Sequence, residues 1–441
     1  MDHFSIASIS TVFYLIILSS MSLFTCLVRY LSHTPIMLSN KQTLERVHDL
    51  LRCADNIVDV SLQCDRWIAS SLLQKSIRRG DVELAQRAAC TLHAFDRGAI
   101  WRRLVVIACE DVGVGDIDAL LETFLAATST DFRRQCGEAS VLGAVVRRLA
   151  EAVKDRSADY LACAAADHPD LWATCRFCKE ASLEKRLELL TDFSQPLAKR
   201  AVAAWYASGI NPRYQNQVQG GDLHALAAAY RSLGAGDELA CSMVLAANRA
   251  PEVLVVLAPL IWLEVRRGGP AGLRSDPIPQ SRKVAGIPLY AFDKHTRVGK
   301  RAIERLIGEN KPFRDCLVRF LAKGSPRKAA EIAAFYADGA PVAQRLDWAQ
   351  SDGLERLGNQ EACLWAENPQ QETPNFLPAL RIAAASNALA GRLAEAQKAI
   401  VCVRQIDPTL RVSNLKDWVA FRRPEDLAKL EEGLRKAGLP E

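Results

Sequence analysis

The sequence predicts an all-α fold, a helical-hairpin array, on three observations. From residue 41 onward apolar residues recur every three to four positions, as in Leu44, Val47, Leu50 and Leu51, the spacing that gathers side chains on one helix face. Strictly alternating apolar and polar runs, the mark of half-buried strands, are few. Ala-rich faces follow one another in series, punctuated by Gly, Pro and Asp, which suits helices packed in consecutive pairs.

Composition bounds the function classes. Charged residues at 24% and hydrophobic ones at 49% are those of a folded protein, which excludes a disordered or collagenous chain. A length of 441 residues allows about three domains and a full core. The net charge of +5 is too small to single out nucleic acid as a partner. Thirteen cysteines, odd in number and set in apolar helical text, read as reduced thiols rather than a disulfide frame.

Residues 4–28 carry no charge. About twenty such residues span a hydrocarbon core as a helix, so residues 9–31 are expected to form a transmembrane helix. Arg29, Lys41, Arg46 and Arg52 follow the uncharged residues, which places the body in the cytoplasm of a single-pass membrane protein. If translation starts instead at Met37, the protein is cytoplasmic.

The first expected domain, residues 41–157, contains the most distinctive text. Around Leu73 to Gly80 the pattern predicts a helix with Leu72, Leu73, Ser76 and Ile77 inward and Lys75, Arg78 and Arg79 as an outer basic fringe. Gly80 stops it, and Asp81 caps the next helix. A third helix over 100–109 turns Ile100, Leu104 and Ile107 inward and Arg102 and Arg103 outward, then ends at Glu110-Asp111-Val112-Gly113.

Those residues carry a resemblance. Leu73-x-Lys75-Ser76-Ile77-Arg78-x-Gly80-Asp81, followed by Arg102-Arg103-Leu104-Val105 and Glu110-Asp111-Val112-Gly113-x-Gly115-Asp116, resembles the helical C-terminal region of the replication-associated recombination AAA+ ATPases. These are bacterial relatives of the Werner-helicase-interacting protein, with a clamp-loader-like architecture. A weaker continuation runs through Glu138, Leu149, Ala150 and Lys154 to Ser157. The resemblance implies a clamp-loader-collar-like helical domain that mediates self-assembly near DNA. It carries over no catalytic residue. The phosphate-cradling pattern GxxxxGK[ST] is missing, since Gly299-Lys300-Arg301 and Gly324-Ser325 lack its spacing.

Further along, helices are expected over 132–155, 158–166, 183–190, 195–207, 223–233 and 237–266, the last five making a solenoid-like region over 158–267. Gly268, Gly269, Pro270, Pro277, Pro279 and Pro288 mark residues 268–288 as a linker. A helical region over 289–350 follows, with helices over 298–307, 312–321 and 327–337.

In the C-terminal part, Leu380, Ala384, Asn387, Gly391, Ala396, Ile400 and Val403 fall close to tetratricopeptide positions, and Pro408 ends the second helix. This predicts one tetratricopeptide-like repeat over 374–410 and a tail over 411–441. Such a repeat cannot bury its own faces alone and needs a packing partner. The text from residue 370 to 441 resembles the repeat tail of bacterial adenylate and guanylate cyclases, without their catalytic domain. Two such unlike resemblances in one chain are what a fusion of gene fragments would produce.

Candidate sites are few. Cys163, His168, Cys175 and Cys178 lie within sixteen residues and include one C-x2-C pair, the ligand types of a structural zinc site. One pair alone makes reduced structural thiols the better reading, so no metal or other cofactor is expected. Arg78, Arg79, Arg102, Arg103, Arg297, Lys300 and Arg301 are candidates for nucleic-acid contact, although basic pairs are more often solvated helix faces. The polar run Asp293, Lys294, His295, Thr296 reads first as a capped helix start. No nucleophile set emerges. The sequence therefore points to a non-enzymatic helical scaffold or assembly protein, held by protein partners or self-association. A replication or recombination accessory lacking its own ATPase is the alternative, ahead of an enzyme of unknown type.

Overall fold

The computed structural model describes residues 41–52, 61–210, 220–269, 271–275, 278–321, 325–358, 377–417 and 424–441. The expected membrane span over 9–31 lies outside them. Among the described residues no helix is long and apolar enough to cross a membrane.

The described chain is mostly helical and falls into two compact units, residues 1–304 with 331–360, and residues 305–330 with 361–441. In the first, α1 (Lys41–Arg52), α2 (Arg66–Arg79), α3 (Val82–Phe95), α4 (Arg97–Ile107), α5 (Ile117–Thr128), α6 (Thr130–Cys136) and α7 (Glu138–Glu151) come in order. Local chemistry sets their ends. Asp65 accepts hydrogen bonds from the N–H groups of Trp67 and Ile68, and Asp81 from that of Leu84. Gly80 at φ 73° closes α2 in the left-handed conformation, so the helix stops where the sequence indicates. Helices α2 and α3 pack as a hairpin, and both lie against α7.

Then come α8 (Ser157–Asp167), α9 (Trp172–Glu180), α10 (Leu183–Thr191), α11 (Leu197–Ser208), α12 (Leu223–Ser232), α13 (Asp237–Arg249) and α14 (Val253–Arg267). Apolar residues of all these helices join one core with those of α1 to α7, and Trp101, Trp205, Tyr230 and Phe124 are its fully enclosed aromatic members. Two expected helices are each divided. The 132–155 stretch breaks at Gly137, whose φ of 85° no helix accommodates. The 237–266 stretch breaks before Val253, where Pro251 cannot donate to the ladder, yet α14 runs on through Pro259.

The 268–288 stretch, expected to be a linker, is partly ordered as strands. Strand β1 (Gly272–Ser275) pairs antiparallel with β4 (Gln344–Asp347), Gly272 opposite Asp347, while β2 (Lys283–Val284) and β3 (Ile287–Pro288) form a hairpin. Helix α15 (Arg297–Glu309) crosses from the first unit into the second. Helix α16 (Lys311–Phe320) belongs to the second, and α17 (Pro326–Ala334) leads back into the first. A π-turn over Phe335–Gly339, β4 and α18 (Ser351–Gly358) complete the first unit.

The second unit has its own core around α19 (Leu377–Leu389), α20 (Leu393–Ile406) and α21 (Pro424–Ala437). Gly391 at φ 77° makes the turn between α19 and α20, and Ala384, Ala396, Ile400 and Val403 are buried between them. The tail supplies the covering element. Helix α21 packs so closely on α19 that a Cβ on Gly433 would stand 2.7 Å from that of Ala385.

Candidate functional site

The two halves of the distinctive motif meet inside the first unit. Helix α2 presents Gln74 and Arg78 one turn apart, and α4 runs into a π-turn over Ala108–Val112 that turns Asp111 back toward them. Asp111 is fully enclosed. Its carboxylate accepts from Arg78 Nε at 2.6 Å, from Gln74 Nε2 at 3.0 Å and from Arg156 Nη1. Arg78 also donates to the Gly339 carbonyl at 2.6 Å and lies over the Phe335 ring.

Electrostatics follow from this enclosure. Burial alone would raise the Asp111 carboxyl, but the Arg78 and Arg156 guanidiniums outweigh it and hold the group below the usual carboxylate range. Glu110 goes the other way. Burial raises it, and the neighbouring Asp159 and Asp111 carboxylates add to the rise. Arg156, paired with Asp159, Asp111 and Glu110, is held firmly protonated.

Glycines let the backbones close. Gly113, at φ 50°, would carry a Cβ 2.7 Å from the Asp155 carbonyl oxygen, and one on Gly115 would stand 2.7 Å from that of Val153. The Asp155 N–H donates to Val112 O at 3.0 Å, so the segment after α7 is laid along the π-turn. Next to it Lys154 is enclosed, its ammonium donating to the carbonyls of Ala150 and Ala152 at the end of α7. Burial lowers it to about 8 against the pull of Asp111 and Asp116.

Lys75 does not belong to an outer fringe either. It donates to Ser71 Oγ at 2.8 Å and to Asp293 Oδ2 at 2.6 Å, and opposite its ammonium the Asp293 carboxyl is held low despite burial. The neighbouring Arg79 lies over Tyr290 and donates to the Asp338 carbonyl at 2.9 Å.

The basic candidates thus divide. Arg78 and Arg79 face protein, which corrects the expectation of a basic fringe there. Arg102, Arg297, Lys300 and Arg301 are exposed, and Arg103 is half-buried with a hydrogen bond to Gln74. The cysteine candidates do not gather. Cys178 is enclosed, Cys175 points at the Ala165 carbonyl, Cys163 is exposed beside Asp159, and His168 accepts from the Asp170 N–H. Among the described residues no three Cys, His, Asp or Glu side chains come together to hold a metal.

Sequence reasoning misses Arg156, Asp293, Gln74 and the Gly339 carbonyl as partners of the motif. The weak continuation at 154–157 is the available signal for Arg156; nothing local marks the others. What the arrangement does chemically is to neutralise its own charges, tying α2 and residues 155–156 to Asp111 directly and Gly339 through Arg78. No family model, characterised protein or solved structure matches the chain.

Proposed function

We propose that the chain is a non-enzymatic helical scaffold that associates with a second copy of itself through its C-terminal hairpin. The observation that carries this reading is an apolar face on α19 and α20. Ile382, Leu389, Leu393 and Val401 are each exposed by 44–58%. Leu393, Gln397 and Val401 succeed one another turn by turn along α20, and Ile382, Ser386 and Leu389 do the same on α19. Exposed apolar side chains repeated along two neighbouring helices favour association.

Two further points support the reading. Arg78 and Asp111 of the motif are engaged with one another and Lys75 with Asp293, which is a structural use of these charges rather than a catalytic one. Resemblance to a self-assembling clamp-loader-like region points the same way. The apolar stretch 9–31 would tether such a scaffold to a membrane with its body in the cytoplasm, which carbonate extraction of the full chain tests. The association itself is tested by light scattering after gel filtration. A dimer or larger species should shift toward monomer in Leu393→Glu/Val401→Glu, and a parent chain that is monomeric at every concentration rejects the proposal.

A further inference from the structure

The first unit carries a second surface, unrelated to the hairpin. Trp67, in the first turn of α2, is 49% exposed, and Phe95, which ends α3, is 54% exposed. Both sit among cations. The Arg66 guanidinium lies 4.6 Å from the Trp67 ring centroid, covering one face of the indole. Arg97 and Arg102 on α4 are exposed beside them. The Asp96 carboxylate next to Phe95 is held low by the Ala99 and Gly98 N–H groups, with Arg102 and Arg66 adding to the effect, so both arginines gather around it.

Arg103, half-buried next to Arg102 on α4, hydrogen-bonds to the buried Gln74 of α2. Burial lowers His295, Lys294 and Arg103 add to the fall, and Lys294 and Arg297 beside it at the start of α15 are exposed. Two carboxylates flank Trp67 and Phe95 in sequence, and both are engaged as helix caps. Asp65 accepts from Trp67 N at 2.8 Å and Ile68 N at 2.9 Å, and Asp96 from Gly98 N and Ala99 N, each at 2.9 Å.

We propose that this surface binds single-stranded nucleic acid, with Trp67 as the stacking platform and Arg66, Arg97 and Arg102 on the phosphates. With 49% of its surface exposed, the indole retains ring area on which a base can stack. Aromatic platforms flanked by cations fit a single strand because every base offers a π-face and every link a negative charge. A duplex hides its bases, and an acidic peptide brings charge without a regular series of rings. The proposal is independent of the self-association reading, since its residues lie in the other unit.

The test uses the full chain and fluorescein-labelled oligothymidylate, read by anisotropy across a salt series. Binding should weaken steadily as salt rises, because bound phosphates release counterions. Trp67→Ala should weaken it about tenfold at fixed salt, and Arg102→Ala should flatten the salt dependence by about one unit of slope. Both side chains are exposed, and unchanged far-ultraviolet circular dichroism checks that the fold is kept. Absence of binding, an unaffected Trp67→Ala chain, or polyglutamate binding as tightly as oligothymidylate overturns the proposal. The polyglutamate result would assign the surface to acidic peptides instead.

Discussion

Arg78 and Asp111 stand 33 residues apart in sequence and 2.6 Å apart in the fold, Nε to Oδ1, with neither side chain reaching solvent. Breaking a buried pair on one side leaves the other charge without full compensation, which typically costs about 3 to 5 kcal/mol. Arg78→Ala should therefore lower stability by that order in chemical denaturation. Arg156 still faces Asp111, so the lower end is expected. The double change Arg78→Ala/Asp111→Ala should cost less than the sum of the two single changes, and strict additivity would show that the pair is not coupled.

Gly113 offers a steric test of the same closure. Its positive φ opposes a side chain, and so does the Asp155 carbonyl oxygen, which lies 2.7 Å from the place an alanine Cβ would take. Gly113→Ala should destabilise by more than about 1 kcal/mol. Gly308, near the end of α15, has nothing within 4 Å of the equivalent position, and Gly308→Ala should cost nothing measurable. Equal melting points for the two variants would mean that the π-turn is not held against residues 153–155.

How much of this is legible in the sequence depends on distance along the chain. Gly80 and Asp81 act within a turn of themselves, so their roles as stop and cap can be read directly. Ala384, Ala396 and Ile400 can also be read, because one hairpin buries them. Arg78 and Arg102 look alike as members of basic pairs, and only packing decides that one faces Asp111 and the other solvent. Asp293 lies 218 residues from Lys75 and Gly339 lies 261 from Arg78, so no local pattern reports them. Strand β1 reads as linker for the same reason: its partner β4 is far along the chain, and its residues Gly272 to Ser275 carry no apolar alternation.

Ala396 is enclosed where α19 and α20 cross. A larger side chain there must push the helices apart or leave its preferred rotamer. Ala396→Leu should destabilise the second unit by about 1 to 3 kcal/mol. Lys398, exposed on the same helix and outside the row of Leu393, Gln397 and Val401, gives the control, since Lys398→Leu places a side chain of the same size on the solvent side. Matching thermal midpoints for the two variants would count against close packing of the hairpin.

Lys154 yields a prediction with a sign. Its ammonium is enclosed, and burial lowers it to about 8 from the 10.5 of a free lysine. Between those two values the unfolded chain holds a proton that the folded chain has given up. Unfolding then takes up a proton, and the lysine's contribution to folding stability rises with pH across that window. Below about pH 8 both states are protonated, and the cost of burying the charge is constant. Tyrosines and thiols also titrate above pH 8, so the comparison must be made against Lys154→Met, which keeps most of the stem without the ammonium. The stability of the parent relative to this variant should rise by up to about 3 kcal/mol from pH 8 to pH 10.5. Paired urea unfolding at several pH values measures it. A difference that stays flat would mean that Lys154 keeps its proton in the fold, satisfied by the Ala150 and Ala152 carbonyls and the nearby Asp111 and Asp116.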